Sequence, residues 1–332
     1  MTPVPHRAVT TVLTLVVPGA LVASTFVVAG AWSAELPDPV AVHFGNDGPD
    51  GFGSIAGLLW PPAIISLVMA AACWAVGFFW GRTAYVRRVC AGLALGLAAF
   101  LCTVTVGLLD LQRGLADAAD VGSVGLVAGL AFVVGIAAAA LGAWLTPGDR
   151  YEPTTAPLPP SAAVLDLRPD ETASWVTHAR SRAALLVGGG VVVLVAVLGL
   201  LLSTPLVLVP ALVVAAAVLA GTWFIVTVDR RGLTVRSAVG WPRMVVPLDE
   251  VVRADVVTVR PFPEFGGWGY RVGRGGRVGV VLRTGDGLQV ERTGGRSFVV
   301  TVDDAATGAA LLNTLAARSR VHPQARDTRG TR

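Results

Sequence analysis

Six runs of apolar residues, most of them about twenty long, decide what this chain can become. Segments of that length cross a bilayer as helices, because a helix satisfies its own backbone groups in lipid. The first runs from Val9 to Ala31, with Pro18-Gly19 as an expected kink. The second opens at Trp60-Pro61-Pro62 and closes at Trp80, so indoles mark both ends at interface depth. Val89 to Leu109 and Val121 to Leu145 make the third and fourth. Gly92/Gly96 and Gly125/Gly129 give these two small-residue faces suited to close helix packing. Ala183 to Ser203 and Pro205 to Thr222 form the fifth and sixth, turning at Thr204-Pro205. With 54% apolar and 14% charged residues, an ordinary soluble globule is excluded.

Charge sets the orientation. All 26 basic residues are Arg. Arg82, Arg87 and Arg88 fill the turn between the second and third runs, four Arg lie in 146–182, and seventeen follow residue 228. The loop 33–59 has none, but carries Glu35, Asp38, Asp47 and Asp50; Asp110 to Asp120 sets one Arg against three Asp. The positive-inside rule then predicts a multi-pass cell-membrane protein with both termini cytoplasmic and the loop 33–59 outside. Cys73, Cys90 and Cys102 all lie in or beside apolar runs, which argues against a disulfide framework or a zinc site. The first run lacks a signal-peptide cleavage pattern and is expected to remain as a helix.

Five segments make up the organisation. Residues 1–148 read as a four-helix membrane domain, and 149–182 as a cytoplasmic linker, extended and unpacked, with six prolines between Pro147 and Pro169. Residues 183–228 hold the second membrane hairpin. From Trp223 onward the period changes to two: Val226–Asp229, Leu233–Arg236, Met244–Leu248, Val256–Val259, Val278–Arg283, Leu288–Arg292 and Phe298–Val302 read as strands. Asp303 sits at an N-cap position ahead of a helix ending near Arg318, with Leu311, Leu312 and Leu315 on one face. Residues 229–318 are thus expected to be a cytoplasmic all-β barrel or sandwich capped by a helix, and 319–332 a disordered tail.

Two stretches stand out as candidate sites. LPDPVAVHFGNDGPDGFGS, Leu36 to Ser54, is polar, turn-rich and external on the charge reading. His43, Phe44, Asn46, Asp47 and Asp50 are its candidate recognition residues, for a peptide or small ligand outside. On that reading Val40, Val42 and Phe44 turn inward and His43 faces water or a ligand; the competing reading has His43 hydrogen-bond its own loop and fix the turn. Glycines at positions 48 and 57 exclude an EF-hand there. The other stretch, PFPEFGGWGYR, offers Phe262, Phe265, Trp268 and Tyr270 between Arg260 and Arg271, with Arg274 beyond. It suits contact with the anionic inner leaflet of the bilayer or with a protein partner, or else it folds back as a lid.

No charged residue or histidine lies in the middle of any apolar run, which argues against an ion-coupled transporter. Gly273, Gly275 and Gly279 miss the dinucleotide spacing by one residue. No nucleophile–base or paired-carboxylate set can be assembled, so no enzyme, cofactor or metal is expected, and no nucleic-acid partner.

Two resemblances bear on function. Pro37 to Phe52, with its Pro-rich entry, His43-Phe44, Gly48 and Asp50 before an aromatic, resembles the domain of unknown function at the N-termini of Sdp-immunity-type bacterial membrane proteins. Leu167 to Ala317 is similar to membrane-tethered bacterial pleckstrin-homology-type domains. There LRPDETASW precedes a two-span hairpin, and V-T-V-D-x-x-G-L, W-P and V-P-L-x-x-V follow it. The second resemblance implies a seven-stranded barrel with a C-terminal helix; neither brings a catalytic residue. The expected function is that of a non-enzymatic sensor, immunity or scaffold protein, with the lipid bilayer and another membrane protein as partners and a transporter or channel subunit as the alternative.

Overall fold

The computed structural model describes residues 4–45, 48–168, 170–201, 208–240 and 242–321. The chain divides into two compact units, residues 1–149 and 150–332.

The first unit is helical. The opening span comprises α1 (Arg7–Thr11), a π-helical turn (Val12–Val16), α2 (Val17–Trp32) and a 3₁₀ turn (Ser33–Glu35). Proline clashes with the carbonyl four residues back, and the wide turn before Pro18 makes room for its ring. A two-stranded hairpin follows, β1 (Val40–Gly45) against β2 (Gly48–Gly53). Helix α3 (Ile55–Trp80) is capped by Ser54, whose hydroxyl accepts from the Gly57 N–H at 3.1 Å. It therefore starts five residues before Trp60, and Pro61-Pro62 lie within the helix instead of opening it. Helix α4 (Ala84–Asp110) likewise starts early, capped by Thr83, and α5 (Gly125–Leu145) closes the unit.

Close packing of α4 on α5 uses the small residues expected on one helix and different ones on the other. A methyl group on Gly96 would stand 2.8 Å from the Ala139 Cβ and 3.1 Å from the Gly135 carbonyl; one on Gly142 would stand 3.0 Å from the Ala91 carbonyl. Gly125 faces only the Ser123 hydroxyl, and Gly129 faces open space. The α5 seam is thus Gly135–Ala139–Gly142, spaced at one turn. At the far end of this seam Arg87 is 1% exposed. Its guanidinium donates to the carbonyls of Gly81 at 2.7 Å and Pro147 at 3.1 Å and lies 3.4 Å from Asp149. A buried arginine is tolerable here because its terminal nitrogens meet acceptors just past the ends of two helices, α3 and α5.

The second unit joins a helical hairpin to a β-rich region. Strand β3 (Trp175–Arg180) leads into α6 (Arg182–Leu201); α7 (Leu208–Thr222) returns into β4 (Trp223–Asp229). Strands β3, β4, β5 (Gly232–Ser237) and β6 (Arg243–Val246) form an antiparallel sheet in that order. A second sheet has the order β7 (Val251–Val259), β10 (Gly285–Arg292), β11 (Arg296–Thr301), β9 (Val278–Val281), β8 (Gly269–Val272). A short helix α8 (Pro261–Phe265) precedes β8, and α9 (Ala305–Val321) closes the unit against β7 and β10.

Among the described residues, five helical segments are long and apolar enough to cross a membrane: residues 7–35, α3, α4, α5 and α6. The sixth apolar run yields α7, 15 residues long, with residues 202–207 outside those described. Residues 223–228, read from sequence as the end of the second hairpin, are strand β4.

The linker differs most from its expectation. Proline content suggested a spacer, yet residues 151–168 lie along the second unit as a strap, and 175–180 form an edge strand. The Thr154 N–H donates to the Asp249 carbonyl at 2.7 Å, the Leu165 N–H to the Thr314 hydroxyl at 2.8 Å, and Arg318 reaches the Arg168 carbonyl at 2.8 Å. Prolines suit such a strap, because partners outside the segment satisfy its backbone and no ladder is interrupted. Helix α9 is capped by Asp304 and not Asp303, its carboxylate taking the Thr307 N–H at 3.3 Å. The helix also runs to Val321, into the tail expected to be disordered; residues 322–332 lie outside those described.

Candidate functional site

The hairpin β1–β2 is held from beneath by a residue the sequence did not single out. Gln112, two residues beyond α4, is fully buried. Its Oε1 accepts from the Ala41 N–H at 2.6 Å, while its Nε2 donates to the Ala41 carbonyl at 3.2 Å and the Leu108 carbonyl at 2.9 Å. A carboxamide presents one acceptor and two donors, so Gln112 acts as a one-residue strand partner for β1. The sequence signals it only by a glutamine three residues past an apolar run. Asn313 of α9 repeats the device in the second unit, bonding both backbone groups of Ala254 at 2.9 Å.

A second brace surrounds the hairpin's entry. Arg113 Nε and Nη2 both donate to Glu35, at 2.9 and 2.7 Å, and Nη1 reaches Asp110 at 3.3 Å. The same guanidinium lies 4.4 Å from the centre of the Trp32 ring. Below, Val42, Leu36 and Ile55 pack against a buried cluster of Ala29, Leu58, Leu59 and Leu109.

On this base the tip carries its polar groups outward. His43 Nδ1 lies 2.5 Å from Asp50 Oδ1 across the hairpin, with side-chain exposures of 73% and 54%. Gly51 stands opposite His43, and a methyl group on it would lie 2.8 Å from the His43 Cβ, so glycine permits the pair to close. Phe44 is half-buried and Phe52 exposed. Both Val40 and Ala41 are buried, because register shifts on either side of His43 interrupt the simple alternation. Of the five candidate residues the structure gathers His43, Phe44 and Asp50; Asn46 and Asp47 lie outside the described residues. Among the described residues, no three His, Cys, Asp or Glu side chains gather to hold a metal ion.

The aromatic stretch of the second unit divides in two. Phe265 is 4% exposed and packs with Val259, Val281 and Val299, so it belongs to the core and not to a contact surface. Phe262, three residues earlier on α8, is exposed and packs edge-on against Trp268 at 5.0 Å. Arg260 and Arg271 are exposed and Tyr270 is half-buried; Arg271 Nε donates to the Trp268 carbonyl at 2.8 Å. Burial opposes charge on Glu264, but the Arg260 N–H and the Arg277 guanidinium at 3.0 Å outweigh it and hold the carboxyl below its ordinary pKa.

A lateral groove of about 430 Å³ lies along α4, lined by Ser24, Thr25, Thr103, Asp110, Val127 and Leu130 among others. No family model, no curated protein and no solved structure matches this chain.

Proposed function

We propose that this chain is a non-enzymatic membrane recognition protein, of sensor, immunity or scaffold type, whose β1–β2 hairpin meets a peptide or small ligand outside the cell. The observation that carries the reading is the contrast within the hairpin. Its base is fixed by the buried Gln112, yet His43 and Asp50 at its tip stay open to solvent. A preorganised, exposed polar pair loses little entropy on binding and offers both a donor and an acceptor. The arginine asymmetry supports an external hairpin and a cytoplasmic second unit. The resemblance to Sdp-immunity-type N-terminal domains and to pleckstrin-homology-type domains points the same way.

The test compares the phenotype of gene deletion with that of His43→Ala and Asp50→Asn at matched protein levels. Both substitutions are expected to abolish activity while leaving insertion intact, because the pair is exposed. A phenotype that tracks protein level would remove the recognition role. The lateral groove, with its three hydroxyls, favours a transporter or channel subunit as second reading. Solute flux in liposomes unaffected by hairpin substitutions would favour it.

A further inference from the structure

The helical hairpin leaves the first sheet of the second unit without an intervening linker. Arg180 pairs with Trp223 across β3 and β4, and the Ser181 N–H donates to the Thr222 carbonyl at 3.2 Å, at the point where both strands become helices. Helix α6, apolar enough to span, begins at the next residue. When α6 is in the bilayer, the ends of β3 and β4 therefore lie at its surface.

What else lies at that end follows from the pairings. The Ala238 N–H donates to the Trp223 carbonyl at 2.9 Å, which places the β5–β6 turn beside Trp223. Val239 in that turn is 62% exposed and Trp223 is 48% exposed. From the second sheet, a methyl group on Gly269 would stand 3.8 Å from the Gly221 carbonyl, so the loop carrying Trp268 abuts the last turn of α7. Phe262, 60% exposed, stacks on that tryptophan. Separate segments thus bring their exposed apolar side chains to one rim.

The same rim is basic. Arg236 and Arg243 stand directly opposite each other on β5 and β6, level with His178 and Ile225 on the strands beside them. Like charges in that register are unfavourable unless an anion lies near. Among the described residues no carboxylate pairs with Arg236, Arg243, Arg260 or Arg271, and Glu264 is engaged by Arg277.

We propose that this rim is a peripheral lipid-binding surface. Phe262, Trp268, Trp223 and Val239 enter the headgroup region of the leaflet from which α6 and α7 emerge, and Arg236, Arg243, Arg260 and Arg271 hold its anionic phosphates. Indoles and arginines prefer that depth, the ring for its mixed polarity and the guanidinium for phosphate. The paired strands fix the sheet to the hairpin, so the rim is presented to the leaflet at no cost in orientation.

Spin labelling of the full chain in nanodiscs tests this. With the native cysteines replaced by Ala, a label is placed at Phe262→Cys or, as control, at Arg231→Cys in the turn at the other end of β4. Six strand steps put that turn about 20 Å from Trp223. In discs of mixed phosphatidylglycerol and phosphatidylcholine, the label at 262 should meet dissolved oxygen more than a water-soluble nickel chelate, and the control should show the reverse. Near-UV circular dichroism confirms that each labelled protein is folded. Equal nickel access at both positions would overturn the proposal and leave the rim to a protein partner. In discs of phosphatidylcholine alone, or with Arg260 and Arg271 changed to Gln, the oxygen preference at 262 should decline several-fold. A preference indifferent to both changes would overturn the anionic-lipid assignment.

Discussion

Replacing Gln112 by Leu keeps the volume beneath the hairpin and removes all three of its side-chain hydrogen bonds. The Ala41 N–H and carbonyl, both within 3.2 Å of the carboxamide, are then left buried without their partner. An unsatisfied buried polar group costs about 1–3 kcal/mol, so the pair costs about 2–5 kcal/mol after some relaxation. That cost falls on the hairpin and not on the helices, whose ladders are untouched, so its readout is local opening. Amide exchange at Ala41 should accelerate by about 30-fold or more, since every 1.4 kcal/mol is a factor of ten. Exchange in the middle of α4 should stay unchanged. Gln112→Glu separates the two halves of the interaction: it keeps an acceptor for the Ala41 N–H but aims a carboxylate oxygen at the Ala41 carbonyl. At neutral pH it should therefore be worse than leucine. Exchange at Ala41 within about twofold of the native rate in the leucine variant would refute the idea that this side chain holds the hairpin.

Two further outcomes follow from the packing. Gly96→Leu should destabilise the first unit by about 1–3 kcal/mol through overpacking against Ala139, whereas Gly129→Leu should be neutral within error, measured as thermal unfolding in detergent. In the second unit Glu250 is 2% exposed and meets Arg292 and Arg296. Burial works against its charge, but the Arg292 hydrogen bond, the Glu152 N–H and both guanidinium charges outweigh it and lower its pKa from the ordinary 4.5. Its contribution is then present in full above pH 4.5 and lost as pH falls through the lower folded value. Chemical unfolding of the full chain should show that acid loss, and Glu250→Gln should abolish it. The substitution itself should cost about 3–5 kcal/mol at neutral pH by stranding two buried guanidiniums.

The features legible in the sequence were those that depend on long runs. Twenty apolar residues admit few alternatives in lipid, so the spans were visible; their starts were not, because caps at Ser54 and Thr83 begin α3 ahead of Trp60 and α4 ahead of Arg87-Arg88. Seven strands could be read from alternation. Strand β3 was hidden behind a proline-rich stretch although Trp175–Arg180 alternates in exposure, and β8 lies in the glycine-rich stretch GGWGYRVG, whose composition reads as a loop. The helix seam was half legible: Gly92 and Gly96 face α5, but which of its many small residues answer them is set by the crossing, not by spacing. At the candidate site His43 and Asp50 were both noticed, and their meeting was not, because it needs the register shifts beside His43. Gln112 and Asn313 act through a single backbone pair each, a relation no periodicity records. Phe265 and Phe262 are alike in sequence and lie within one turn of each other on α8, so spacing could not tell that the first is buried and the second exposed.

The junction at Ser181 and Thr222 also has a meaning for how this chain can be taken apart. Strands β3 and β4 are antiparallel neighbours in unbroken register from Trp175↔Val228 to Arg180↔Trp223. In topological terms the whole apolar hairpin 182–221 is therefore the loop of an ordinary β-ribbon, an insertion where two residues would suffice. A fragment beginning at residue 229 discards two of the four strands of that sheet together with the strap along α9, and is a poor representation of the second unit. Joining Ser181 to Thr222 through Asn-Gly, the dipeptide suited to tight ribbons, excises the greasy segment and keeps every ladder. The same arrangement explains why the cap is attached by its middle: the polypeptide enters the fold, leaves for lipid, and returns one strand over.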